Sequence, residues 1–349
     1  MKTNWGAAFQ IAAVYVGTVV GAGFATGREI VEFFTRFGFI GLVGILMSGY
    51  IFIFHGSKLM RISARIGAKS YQEFNEYLFG KFFGSIINIL MLFMLLGVCA
   101  VMLSGAGAVF SEQLGLSKNI GLIVTVVLSI IVMLVGIKGL FAVNTIVVPL
   151  MIGFSFMLMI ISLKLPNFLD QLLYIPYAED GWKSVVAPFS YTALNLGLAQ
   201  AVLVPVAAEI KDDQTVKWGG ILGGLVLTII LLSSHFTLVM LPNIEIYEIP
   251  MAVIMKNLAS GFYWIFILII YGEIFTSVIG NLFGLERQIK TYLPLPSIVI
   301  VGFILAVSFL ISLVPYGTLL SYLYPVFGYV SILFIILLWM KPLDEVPYR

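Results

Sequence analysis

The apolar residues of this chain form long runs, each closed by a short polar turn. A run of about 20 apolar residues crosses a hydrocarbon core of about 30 Å as a helix. The runs predict ten spans: Trp5–Phe34, Gly38–Leu59, Gly84–Phe110, Ile120–Ile137, Phe141–Leu163, Trp182–Glu209, Trp218–Leu241, Phe262–Gln288, Ile298–Val314 and Leu319–Met340. Two short amphipathic pieces stand apart, Tyr71–Phe79 between spans two and three and Pro250–Leu258 between spans seven and eight. The expected fold class is all-α integral membrane, in a single membrane domain.

Two spans break the apolar pattern near mid-depth. The first holds Gly17, Gly21, Gly23 and Gly27 with Thr18 and Thr26 between them, and Arg28, Glu29 and Glu32 follow at once. Glycine costs about 1 kcal/mol against alanine inside a helix, so a plain anchor avoids it. Broken backbone survives in a bilayer only where protein or a watery cavity satisfies its polar groups. The stretch therefore reads as a discontinuous helix lining a cavity, its outer half beginning near Phe24. Close helix packing through small residues is the plainer alternative, since Gly17 and Gly21 also fit that spacing. It leaves the adjoining charges unexplained.

Span six carries Pro188, Asn195, Gly197 and Pro205. Laying Asn195–Ala201 on Gly21–Gly27 puts Gly197 on Gly23 and Ala199 on Ala25. Five spans to each half is an odd number, so the half 165–349 is expected to be inverted relative to 1–164. Interrupted helices at matching places in inverted halves are a sign of a secondary transporter with its site at the midplane. Helices one and six are thus expected to be the interrupted pair.

Composition narrows the classes further. Of 349 residues, 61% are hydrophobic and 10% charged, which no soluble domain matches. The single cysteine, Cys99, excludes an intrachain disulfide and a thiolate cluster. The formal charge of +2 is spread along loops, so no nucleic-acid partner is expected. No cleavable signal is apparent. Lys58, Arg61, Arg65, Lys69, Lys81, Lys138, Lys211, Lys217, Arg287, Lys290, Lys341 and Arg349 fall on one side of the predicted spans. Arg36, Lys118, Lys164, Lys183 and Lys256 fall on the other, where the polar loop also carries Asp170, Glu179 and Asp180. The positive-inside rule places both termini in the cytoplasm of a multi-pass protein of the cell membrane.

Candidate chemistry gathers at the breaks. The first offers the backbone of Gly21, Ala22, Gly23, Phe24, Ala25 and Thr26, and the second offers Ser190, Tyr191, Thr192 and Asn195. Half-helix N-termini suit a carboxylate and C-termini suit an ammonium, so the pair fits a small zwitterion. Each hydroxyl can instead bond a carbonyl of its own helix. Span eight carries Glu273, Thr276 and Ser277 near its middle, where paired hydroxyls are hard ligands for sodium. Glu273 is either a neutral tie between helices or a proton carrier. Arg28 and Glu29, one turn past the break, read as an outer gate or as a solvated helix end. His235 reads as a packed histidine, and Lys138 as a topology residue whose charge reaches the interface.

The stretch GTVVGAGFATGREI with ten spans resembles the YkvI-like bacterial membrane proteins, a branch of the amino acid–polyamine–organocation superfamily. The resemblance covers essentially the whole chain. It implies a LeuT-type five-plus-five inverted fold. It also implies a sodium between spans one and eight, held by carbonyls of Gly17, Val20 and Glu273 and hydroxyls of Thr276 and Ser277. Glu273 departs from the small residue usual there, which keeps the proton as an alternative. The function implied is ion-coupled symport of an amino acid or related zwitterion. Spans one, two, six and seven would rock against spans three, four, eight and nine. No enzymatic activity and no resident cofactor are expected. A non-transporting sensor or assembly protein, and a carrier of another organic solute, are the alternatives.

Overall fold

The computed structural model describes residues 3–135, 138–176, 181–210 and 212–346. Glu179, Asp180, Lys211 and Arg349 lie outside them, as does the side chain of Lys138. Among the described residues there is no strand. The helices are α1 (Trp5–Val19), α2 (Ala22–Thr26), α3 (Arg28–Phe33), α4 (Phe39–Ile51), α5 (Ser57–Ile66), α6 (Tyr71–Ala108), α7 (Lys118–Val135) and α8 (Lys138–Ser162). They continue with α9 (Phe168–Leu173), α10 (Gly181–Ile210), α11 (Asp213–Leu238), α12 (Pro250–Leu258), α13 (Tyr263–Tyr292), α14 (Ser297–Ser312) and α15 (Tyr316–Met340).

Six stretches are long and apolar enough to cross a membrane: Phe39–Ile66, Tyr71–Gln113, Gly181–Ile210, Asp213–Leu238, Ser260–Lys290 and Tyr316–Met340. Four shorter apolar helices, Trp5–Val19, Lys118–Leu134, Pro149–Ser162 and Ser297–Ser312, fall where spans one, four, five and nine are expected. Large apolar side chains such as Leu268, Phe303 and Leu310 stand exposed around the bundle. In water that would be a liability; in a multi-pass membrane protein it is the lipid-facing belt.

The helices sort into two packed groups. One consists of α1, α4, α5, α10 and α11, and the other of α6, α7, α13 and α14. Between them, α8 leans on both α11 and α13, and α15 on both α10 and α6. Small residues make the first group tight. Gly219 and Gly223 of α11 lie against Ile11 and Tyr15 of α1, while Gly220 and Gly224 lie against Ser57 and Ile53. Without driving force from lipid, such close backbone approach is what holds membrane helices together. A π-turn at Phe52–Gly56 joins α4 to α5. There the Tyr15 hydroxyl donates to the Phe52 carbonyl at 2.9 Å, and a Cβ on Gly56 would come within 2.1 Å of that hydroxyl oxygen.

One end of the bundle is basic. Arg61 grips Asp213 through two bonds of 3.0 and 2.7 Å, Arg65 adds two of 3.3 and 3.4 Å, and Lys58 donates to the Trp339 carbonyl. The two amphipathic pieces lie at opposite ends. Residues 71–79 turn sharply into the body of α6 at Gly80, whose φ is 78°, and Asn75 bonds Asn88 across the turn. By contrast, α12 packs against α2 at the other end, with Met251 beside Gly27.

Span one is more broken than expected. Its helix stops at Val19, resumes at Ala22 rather than near Phe24, and breaks again at Gly27, whose φ of 82° suits glycine. Span six departs the other way. The expected interruption near Asn195 does not exist, because α10 runs unbroken from Gly181 to Ile210. The physical reason is local. A single glycine stands among leucines and alanines, and the polar side chains support the helix. The Thr192 hydroxyl donates to the Pro188 carbonyl at 2.6 Å and the Asn195 amide to the Tyr191 carbonyl at 2.9 Å.

Candidate functional site

Helix one supplies the irregular backbone. Because α1 ends at Val19, the carbonyls of Gly17, Thr18, Val19 and Val20 lack the amide four residues on. The break abuts α13: a Cβ built on Gly21 would lie 3.5 Å from the Ser277 hydroxyl oxygen. Nothing lies within 4 Å of the corresponding position on Gly17, one turn earlier. Gln10 and Ala13 are exposed and Gly17 and Gly21 half-buried. At this spacing Gln10, Ala13 and Gly17 form one incompletely covered face of α1 that runs from the break toward the basic end.

The second set of expected ligands is arranged differently. Thr192 and Asn195 bond carbonyls of their own helix. Ser190 turns to α15, donating to the Pro325 carbonyl at 3.4 Å, and a Cβ on Gly328 would lie 2.0 Å from its oxygen. Tyr191 packs among Phe33, Phe34 and Phe52 with ring centroids 4.9–6.0 Å apart. So α10 offers side chains without a break, and its freed backbone is that of Ser184 and Ala201, whose carbonyls lose their amide to Pro188 and Pro205.

On α13, the Thr276 hydroxyl donates to the Glu273 carbonyl at 3.1 Å, and the Asn281 amide donates to the Ser277 carbonyl at 2.8 Å. The Thr276 oxygen keeps lone pairs for a cation, but the Glu273 carbonyl is partly spent. The Glu273 side chain is only 2% exposed, and neither carboxyl oxygen has a hydrogen-bond partner. A carboxyl buried that way is costly unless a proton or a cation occupies it.

Away from the basic end the site is sealed. The Thr26 hydroxyl donates to the Gly23 carbonyl at 3.1 Å or shares a 2.9 Å bond with the Tyr316 hydroxyl. Arg28 reaches the carbonyls of Glu245 and Tyr247 at 2.7 and 3.0 Å, tying helix one to the α11–α12 connection. Glu29 does not accompany it. Its carboxyl folds back onto Gly23 and hydrogen-bonds Tyr324. Glu32 pairs with Arg36 at 2.8 Å and accepts from Ser321 at 2.7 Å. His235 is packed as expected, bonded to Thr35 at 3.1 Å. The sequence reading missed Tyr316, Tyr324 and Ser321 of α15. Their only sequence signal is polar residues five and three apart in an apolar run, which is also how a packed helix looks.

Among the described residues no three His, Cys, Asp or Glu side chains gather as a metal-binding group. Solved structures that share the fold include two transporters. The Eremococcus coleocola manganese transporter, in complex with an aromatic bis-isothiourea substituted compound, has a TM-score of 0.64 at 12% identity, over 98% of this chain and 81% of that one. Mhp1, a nucleobase-cation-symport-1 family transporter solved with bromovinylhydantoin bound, has a TM-score of 0.58 at 12% identity, over 90% of this chain and 74% of its own. In sequence, the chain is 52% identical over 336 residues to "Uncharacterized membrane protein YkvI" of Bacillus subtilis (strain 168), covering 96% of both. It is 23% identical over 340 residues to YyaD of the same organism, covering 97% of this chain and 98% of the relative. A family model described as "Spore germination protein" matches residues 7–319. With nine-tenths of its length matching that model, and so near a relative in YkvI, this chain belongs to the spore germination protein (spore permease) family.

Proposed function

We propose that this protein is an ion-coupled secondary transporter of a small organic solute, built as ten spans in inverted halves 1–164 and 165–349 and belonging to the amino acid–polyamine–organocation superfamily. One observation carries the reading. Helix one breaks against Ser277 of α13, and α13 also holds the buried, unpartnered Glu273. Freed carbonyls of Gly17 and Val20 with the hydroxyls of Thr276 and Ser277 make an all-oxygen set suited to a hard cation. The two packed groups, with α8 and α15 bridging them, would serve as moving bundle and scaffold. The basic end is cytoplasmic by the positive-inside rule, in the cell membrane. Arg28 and Tyr316 would then close the outer side, and the open face of α1 fits an inward-facing state.

The test is uptake of labelled amino acids, singly and as a mixture, by vesicles holding the purified protein, under imposed sodium or proton gradients. Sodium coupling predicts that Thr276→Ala/Ser277→Ala abolishes sodium-stimulated uptake while Glu273→Gln keeps it. Proton coupling predicts that Glu273→Gln flattens the pH dependence and that the hydroxyl variant is only weakened. Uptake indifferent to both gradients would rule out a symporter. The family's description favours one second reading, a membrane receptor that binds the same solute without moving it. Ligand-dependent thermal stabilisation with no uptake under either gradient would select it.

A further inference from the structure

Glu29 is where the break in helix one meets charge. It is 7% exposed, and its carboxyl fills the hollow left by the missing side chain of Gly23. Tyr324 of α15 hydrogen-bonds it, and Tyr191 of α10 and Tyr316 of α15 lie within range of its charge. Tyr316 is itself held by Thr26. Among the described residues no cationic side chain is ion-paired with Glu29. Arg28 is spent on carbonyls, and Arg36 on Glu32. A carboxyl kept at membrane depth without a cation is functional by default. Aromatic rings around such a group are the surroundings an organic ammonium prefers.

The position also has a consequence for the opposite charge. A solute carboxylate approaching the backbone at Gly23 would meet the Glu29 carboxyl already seated there. Once a bound ammonium holds that carboxyl ionised, a second carboxylate beside it in a low-dielectric site is repelled strongly. Resting on the transporter reading above, we propose that Glu29, with Tyr191 and Tyr324, binds the amine of the solute at the helix-one break, so that the protein selects organic ammonium compounds with no net negative charge. Glu29 is then a binding residue, not a gate. The zwitterion expected from two broken helices gives way to a ligand recognised by its amine first.

The experiment measures thermal stabilisation of the full-length protein by matched trios. These are valine, isobutylamine and 3-methylbutanoate; leucine, isoamylamine and 4-methylpentanoate; and phenylalanine, phenethylamine and 3-phenylpropionate. The amine of at least one trio should stabilise as well as the amino acid does, and the corresponding acid should not. Glu29→Gln, which keeps size and a hydrogen bond to Tyr324, should weaken amine binding at least ten-fold. Glu29→Asp keeps the charge and should keep the preference, which guards against a variant that merely misfolds. Stabilisation by the acids, or amine binding unchanged in Glu29→Gln, overturns this proposal and leaves the transporter reading standing. Silence of all three trios, with no uptake in vesicles, overturns both.

Discussion

The contact between Gly23 and Glu29 can be measured as a coupling energy. A Cβ at position 23 would sit 2.0 Å from Oε1 and 2.4 Å from Cδ of Glu29. Unbonded heavy atoms rest about 3.5–4 Å apart, so the overlap is roughly 1.5 Å and no small shift relieves it. In Gly23→Ala the carboxyl must leave its place and give up its bond to Tyr324. Leaving these buried groups unsatisfied costs about 1–3 kcal/mol. Alanine returns up to about 1 kcal/mol over glycine inside a helix. The net cost should be about 1–2 kcal/mol. In a Glu29→Ala background the hollow is empty, so the same change should be neutral or stabilising by up to about 1 kcal/mol. The coupling across the cycle is then about 1–3 kcal/mol, above the scatter expected of independent sites. Thermal unfolding of the four proteins in one detergent reads it. Wild type should exceed Gly23→Ala, while the double variant should match or exceed Glu29→Ala. Equal losses from Gly23→Ala in both backgrounds would mean that the carboxyl is not seated on Gly23.

Two further outcomes follow from packing. Asp213→Asn leaves Arg61 and Arg65 without their shared carboxylate at a partly buried site, so it should cost on the order of 2–3 kcal/mol, and melting indistinguishable from wild type would show that the pair contributes nothing. Gly41→Ala would place a Cβ 1.9 Å from the Phe34 carbonyl oxygen, which is backbone and cannot step aside, whereas Gly153 has nothing within 4 Å. Size-exclusion profiles should find Gly41→Ala aggregated or poorly expressed and Gly153→Ala as monodisperse as wild type; the reverse order would refute the close approach of α4 to the end of α3.

The helical class and the membrane-spanning stretches were legible because bilayer thickness sets a run length that no other constraint imitates. The break in helix one was legible too, since glycines clustered next to charges have few other uses in a membrane helix. Span six misled for a specific reason. Pro188, Asn195 and Gly197 are the residues a break requires, but each is also compatible with a helix whose side chains bond its own carbonyls. Which of these happens depends on whether a neighbour needs the backbone. Here α15 comes close enough to meet Ser190 and Gly197 with its own Gly328 and Ser331, and the helix stays whole.

The place of Glu29 was out of reach for a geometric reason. In an unbroken helix Gly23 and Glu29 are six residues apart, so about 9 Å along the axis, and they point to different faces. Read that way, Glu29 belongs to the next turn outward with Arg28, as a gate. The left-handed Gly27 gives the chain a different course. It separates α2 from α3, redirects the chain, and lets the carboxyl return across the break to Gly23 while Arg28 continues outward to Glu245 and Tyr247. Two adjacent residues of opposite charge are thereby sent to opposite sides of one turn. Gly27 cannot be replaced lightly, since a Cβ there would meet Met251 at 2.6 Å and φ is positive. A motif spelled with four glycines thus uses them differently. Gly17 leaves open space, Gly21 meets a hydroxyl, Gly23 houses a carboxyl and Gly27 turns the chain, and only the structure assigns each its part.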